Sequence, residues 1–178
     1  RSYNEKNWRI LPRQAVHDSS SVTYPVFTAI AAPEVQNKLN GDFAIIAGPY
    51  LQNLATGGCE LDYTLTFVSE KFISMVFFGV LDEGEKEIFA KIPLNIDVQT
   101  GAQLALGDVL NLRDADLLPV LRLLTKKDKV DFSKGIPESW YYNGTNFVFC
   151  QRSEIGEWLE ATVAASDLKK FLLKPELF

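Results

Sequence analysis

Along the middle of the chain, apolar and polar side chains alternate in step with a strand. Leu61, Tyr63, Leu65 and Phe67 fall on one side, with Asp62, Thr64 and Thr66 on the other, the period of two of a half-buried strand. Phe72 to Leu81 is almost wholly apolar, which predicts a central strand covered on both faces. Ile88 to Val98 predicts a third strand, with Pro93 at a bulge or an edge because proline donates no ladder hydrogen bond. Ser69-Glu70-Lys71 and the charged run Asp82 to Glu87 supply the turns, so the three strands form a meander. Its core is expected to use Leu65, Phe67, Val76, Phe78 and Ile96, joined by Leu121 and Phe149 from further along.

Ahead of the meander, Arg1 to Ser21 is polar apart from Trp8 to Leu11 and predicts an arm or edge strand. Val22, Tyr24 and Val26 alternate with polar or small neighbours, and Pro25 places that strand at an edge as well. Pro33 opens a helix, since its missing N–H falls where no acceptor exists, and Val35, Leu39, Phe43 and Ile46 recur on one helical face. Gly48-Pro49 is expected to kink or divide this helix.

Beyond the meander, Asp108 is expected to cap a helical turn at Val109-Leu110, and Asp114 or Asp116 a longer helix carrying Leu117, Leu118, Val120, Leu121 and Leu124. Asn143-Gly144 folds Trp140 to Cys150 into a tight hairpin, and Trp158 to Ala164 adds a strand. Ser166 or Asp167 caps a last short helix that Pro175 stops. The fold class is therefore α+β, an antiparallel sheet made of a meander and a late hairpin, packed by two main helices and a short C-terminal helix. The division expected is a strand/helix subdomain over residues 1–56 and an α+β subdomain over 57–178, packed together as one unit.

Composition narrows the function. With 178 residues, 47% of them hydrophobic, the chain can bury a sizeable core and is not a disordered segment. A net charge of -5 argues against a nucleic-acid surface, which needs clustered Lys and Arg to displace counterions. Lys126, Lys127 and Lys129 form the one basic cluster, and the last turn of a helix explains them. No apolar run reaches the ~18 residues of a membrane span. A start at Arg1 without Met is expected of a trimmed or mature piece. Cys59 and Cys150 are the only cysteines. Each suits a small buried apolar position, and in an exported chain the pair could instead close a long disulfide loop.

Candidate chemistry is sparse. His17 is the single histidine and lies in the polar N-terminal arm, so nucleophilic triads and imidazole or thiolate metal sites lack their parts. No cofactor and no metal are expected, and the acidic run Asp82, Glu83, Glu85 and Glu87 reads as a solvated hairpin tip rather than a calcium loop. Glu154 with Glu157 or Glu160 is the pair to consider for glycoside hydrolysis, which needs two carboxyl groups facing each other across a cleft. Gly57-Gly58 and Gly79 have neither the spacing nor the Lys of a phosphate loop.

The last third carries a family resemblance. Pro137, Trp140, Asn146-Phe147-Val148-Phe149 and Glu154-Ile155-Gly156 follow Asn95-Ile96-Asp97-Val98-Gln99-Thr100-Gly101 and Leu104-Ala105-Leu106-Gly107-Asp108-Val109-Leu110. Together they resemble the extracellular domain of RsiV-type anti-sigma factors, which also precedes the catalytic domain of PdaC-type peptidoglycan deacetylases. The resemblance covers Tyr24 to Leu173 and is strongest from Phe72 onward. It implies a non-catalytic, extracytoplasmic binding or sensing module of a bacterial cell envelope, whose ligand is a lysozyme-like protein or a cell-wall glycan. Where many members carry a Gly-Gly-Ala-His stretch, this chain has Asp82-Glu83-Gly84-Glu85-Lys86-Glu87, which points to a changed target. Candidate partner-binding residues are Asp82, Glu83, Glu85, Glu87, Trp140, Tyr142, Glu154 and Trp158, the aromatics for stacking on sugar rings or for a protein interface. A carbohydrate-binding accessory domain of a wall-active enzyme and a carboxylate-based hydrolase are the alternatives.

Overall fold

A computed structural model describes the backbone of Tyr3–Asn4 and residues 7–178. Its elements run β1 (Tyr3–Asn4), β2 (Arg9–His17), β3 (Ser20–Thr28), α1 (Pro33–Gln52), β4 (Cys59–Val68), β5 (Phe72–Asp82), β6 (Glu87–Asp97), α2 (Leu106–Val109), α3 (Leu117–Leu124), β7 (Ser139–Tyr142), β8 (Asn146–Arg152) and β9 (Trp158–Ala164), then 3₁₀ turns at Ala165–Phe171 and Pro175–Leu177. One sheet has the order β1-β2-β3-β4-β5-β6, and β7-β8-β9 form a second. The α+β class is as expected. The polar N-terminal stretch does not stay an arm: Arg9 to His17 is a nine-residue strand paired with β3 from Arg9↔Thr28 to His17↔Ser20.

β3 is not an edge strand. It pairs antiparallel with β2 on one side and parallel with β4 on the other, at Ser21↔Glu60 and Val22↔Leu61. Pro25 is tolerated because it sits opposite Pro12 of β2 and beyond the short stretch paired with β4, so its missing donor leaves no ladder bond broken. The parallel step from β3 to β4 is made by α1, as such crossovers require. α1 starts at Pro33 and buries Val35, Leu39, Phe43, Ala47 and Tyr50. It runs unbroken through Gly48-Pro49 to Gln52. The carbonyl that loses its donor there belongs to Ile45, an exposed residue whose backbone water can reach.

Two compact units divide the chain, and neither is continuous in sequence. The first comprises Arg1–Leu65, Val76–Ile92 and Val98–Gly101; the second Thr66–Met75, Pro93–Asp97 and Ala102–Phe178. The expected boundary between residues 56 and 57 does not coincide with this division, because β4, β5 and β6 each pass from one unit into the other. In the first unit, Phe27 stacks on Phe43 at 5.8 Å, and Phe77 lies 6.3 Å from Phe43 and 6.1 Å from Tyr63. Asn40 of α1 accepts from the Phe27 N–H at 2.7 Å and donates to its carbonyl at 3.0 Å, tying helix to strand. Gly79 has no room for a side chain, since a Cβ there would overlap the ring of Tyr50.

The second unit is built on the three-stranded sheet. Its core joins Trp140, Tyr142, Phe147, Phe149, Ala161 and Val163 to Phe72, to Leu117 and Leu121 of α3, and to Leu168 and Phe171 of the first 3₁₀ turn. Phe178 closes over it, 4.7 Å from Phe147 and 5.0 Å from Tyr142. A buried polar link holds the edge of β7. Ser74 Oγ donates to Asn95 Oδ1 at 2.6 Å and accepts from the Tyr142 N–H at 2.8 Å, while Asn95 Nδ2 donates to the Trp140 carbonyl at 2.8 Å. Asp108 is not an N-cap: it lies inside α2, where its carboxylate accepts from the Ala105 N–H at 2.8 Å. Asp116 occupies the cap position of α3, with its N–H donated to Asp114 Oδ1 at 2.9 Å. Cys59 and Cys150 are both buried, one in each unit, and form no disulfide.

Candidate functional site

Register fixes which side chains of the second sheet face the aromatic core and which take the opposite face. Trp140↔Phe149↔Ala161 and Tyr142↔Phe147↔Val163 form the rows against the core, so Tyr141↔Val148↔Thr162 and Ser139↔Cys150↔Glu160, followed by Arg152↔Trp158, form the opposite face. Trp140 is only 2% exposed and Tyr142 only 4%. Both had been expected as binding aromatics, and the structure corrects this: strand alternation puts them in the core, stacked near Phe72 and Phe147, where no ligand reaches. Trp158, on the other face, is half-buried and keeps its candidacy.

A groove of about 540 Å³ runs beside Trp158. It is lined by Glu157, just before the edge strand β9, by Trp158, Leu159 and Glu160 of that strand, and by Lys127, Asp128 and Lys129 from the turn after α3. These lysines do not belong to a last helical turn. α3 ends at Leu124, and its last turn carries Arg122 as its only basic residue. Thr125 stops it, donating its hydroxyl back to the Leu121 carbonyl at 2.7 Å, and the chain then turns to present Lys127 and Lys129 to β9. Behind the groove, the Tyr141 phenol lies near the Glu160 carboxylate. Burial raises the Tyr141 pKa well above the ordinary phenol range, and the neighbouring Glu160 raises it further, with Cys150 adding to them. The Cys150 thiol lies 3.9 Å from the same carboxylate.

The other expected residues lie elsewhere. Asp82, Glu83, Glu85 and Glu87 occupy an exposed hairpin tip in the first unit, closed by the Glu83 N–H on the Lys86 carbonyl at 2.9 Å. Glu154 is 95% exposed in the loop between β8 and β9, 3.9 Å from Lys134. That loop turns at Gly156, whose φ of 84° favours glycine, and is closed by the Ser153 N–H on the Glu157 carbonyl at 2.8 Å. A smaller concavity of about 300 Å³ lies between Pro93, Leu94 and Gln103, Leu104, but its polar floor, Asn95, is already hydrogen-bonded through both ends of its amide. Among the described residues, no three His, Cys, Asp or Glu side chains converge as metal ligands. No helix among them is long and apolar enough to cross a membrane.

Two solved structures share this architecture almost end to end. A member of the DUF3298 family from Bacteroides fragilis NCTC 9343 has a TM-score of 0.62 at 12% identity, with 94% of this chain covering 93% of that one. The fold is that of DUF3298 proteins. A second DUF3298 family protein, from Pseudomonas aeruginosa PAO1, gives a TM-score of 0.59 at 14% identity, covering 96% of this chain and 95% of that one. No family profile and no curated protein matches the chain. Within this DUF3298 fold, a reading by motif singles out Lys127 and Lys129 as a basic cluster but does not connect them to β9. Tyr141, an aromatic considered for binding together with Trp140, Tyr142 and Trp158, takes the face opposite Trp140 and Tyr142, as strand alternation requires.

Proposed function

We propose that the chain is a non-catalytic binding or sensing module that works outside the cytoplasm, in a bacterial cell envelope. The fold of DUF3298 proteins supports this reading, and so does the resemblance of the last third of the chain to the RsiV- and PdaC-type domains. The observation that carries it is the β9 groove. An indole, three carboxylates and two ammonium groups line an open channel, and such a surface holds an extended polar ligand rather than enclosing a reacting atom. Of the carboxylates considered for hydrolysis, Glu157 and Glu160 line that channel, but Glu154, the common member of either pair, does not and stands almost fully in solvent. The purified protein is expected to co-sediment with isolated envelopes of a Gram-positive bacterium, to lose that binding in Trp158→Ala, and to release no reducing ends from peptidoglycan. Turnover abolished by Glu154→Gln, or no retention by envelopes, contradicts the reading.

The acidic hairpin tip favours a second reading, a cationic protein partner such as a lysozyme. Asp82, Glu83, Glu85 and Glu87 project together from the turn between β5 and β6, and clustered charge of this kind speeds encounter with a partner of opposite sign. On this reading, reversing two of these charges slows association with hen lysozyme at low salt, and the difference shrinks above ~0.1 M salt. An unchanged association rate removes the hairpin from recognition.

A further inference from the structure

We infer that the β9 groove is a subsite for an N-acetylated amino sugar, an assignment that rests on the reading of the chain as a binding module. The lining carries three carboxylates (Asp128, Glu157, Glu160) and two ammonium groups (Lys127, Lys129), so it favours neither a simple anion nor a simple cation. It favours a neutral ligand that offers donors and acceptors together. Trp158 and Glu160 are two positions apart on β9, so their side chains leave the same face of the strand about 6.6 Å apart along it. A pyranose presents an apolar C–H face of the kind that lies against an indole, and an acetamido group beside it carries one N–H donor and one C=O acceptor. In the groove the N–H meets the Glu160 carboxylate and the C=O meets the ammonium of Lys127 or Lys129 across the channel. Tyr141 serves as a positioning residue. On this inference its phenol, placed next to Glu160, steadies that carboxylate while the other acceptor sites take the ligand. A plain hexose would stack equally well but leave the carboxylate and ammonium groups without their amide partners, which is how the groove discriminates.

Calorimetric titration of the full chain with tetra-N-acetylchitotetraose and with cellotetraose tests this, the two probes differing in the acetamido groups. Binding of the acetylated sugar with a Kd of about 1 mM or tighter, at least tenfold ahead of cellotetraose, is expected. Trp158→Ala should weaken it tenfold or more, and Glu160→Gln and Tyr141→Phe severalfold, with melting temperatures showing each variant folded. If Trp158→Ala does not fold, Lys127→Ala with Lys129→Ala provides the same test from the opposite wall, which is exposed. Equal affinity for the two sugars, or unchanged affinity in the folded groove variants, overturns the assignment. No sugar binding by protein that still sediments with envelopes overturns it too, while leaving the binding-module reading in place. Loss of both removes the two together.

Discussion

Phe77 and Phe78 are neighbours on β5 with opposite fates. Phe77 is fully buried between Phe43 and Tyr63, whereas Phe78 is 39% exposed with the Lys91 ammonium 5.5 Å above its ring. The apolar run around them had placed Phe78 in the core, but β5 is covered on both faces only from Phe72 to Phe77. Phe77→Ala should therefore cost about 3–5 kcal/mol in denaturant unfolding and Phe78→Ala about 1 kcal/mol or less, mostly through lost contact with Lys91. Comparable losses at the two positions contradict the register of β5. The tyrosines offer a second test at this scale. Burial raises the pKa of Tyr50, Tyr141 and Tyr142, so the folded chain holds phenolic protons that the unfolded chain releases near pH 10. The stabilisation is complete below that pH and falls away as pH rises through the raised values, where the unfolded state binds fewer protons. Native tyrosinate absorbance should rise at higher pH than in urea-unfolded protein; coincident curves contradict the burial of these rings.

At the scale of elements, the link between Ser74, Asn95 and β7 explains how a short strand with one β neighbour keeps its free edge dry. The two side chains satisfy the Trp140 carbonyl and the Tyr142 N–H in place of a fourth strand. Asn95→Leu or Ser74→Ala should each cost about 1–3 kcal/mol by stranding a buried backbone group, and the double variant less than the sum, because one network is broken twice. Additive losses in denaturant unfolding would separate the two residues. Most elements were legible in the sequence because a period of two survives in β4 and β9, an apolar run marks β8, and a helical period marks α1 and α3. β2 was legible only as one of two alternatives, an arm or an edge strand, since its Arg9, Arg13 and Gln14 are polar and blur the pattern beside the buried Ile10. Pro25 misled for a similar reason: its cost depends on what lies opposite, and Pro12 sits there. The candidate site was half legible. Trp158 and Glu160 share a strand face, but Lys127 and Lys129 join them only through the turn that follows α3, a contact no local pattern encodes.

For the whole molecule, β4, β5 and β6 are long enough to serve two compact units, which is why Gly57-Gly58, a break in local pattern, does not separate them. The units also separate the candidate surfaces, with the acidic hairpin in the first and the β9 groove in the second. They can therefore be tested as independent sites. Backbone amide shifts recorded during titration with tetra-N-acetylchitotetraose address the central claim most directly. The account predicts that the shifts gather at Lys127 to Lys129 and Glu157 to Glu160, with Asp82 to Glu87 unmoved; shifts confined to the hairpin, or spread without focus over both units, contradict it.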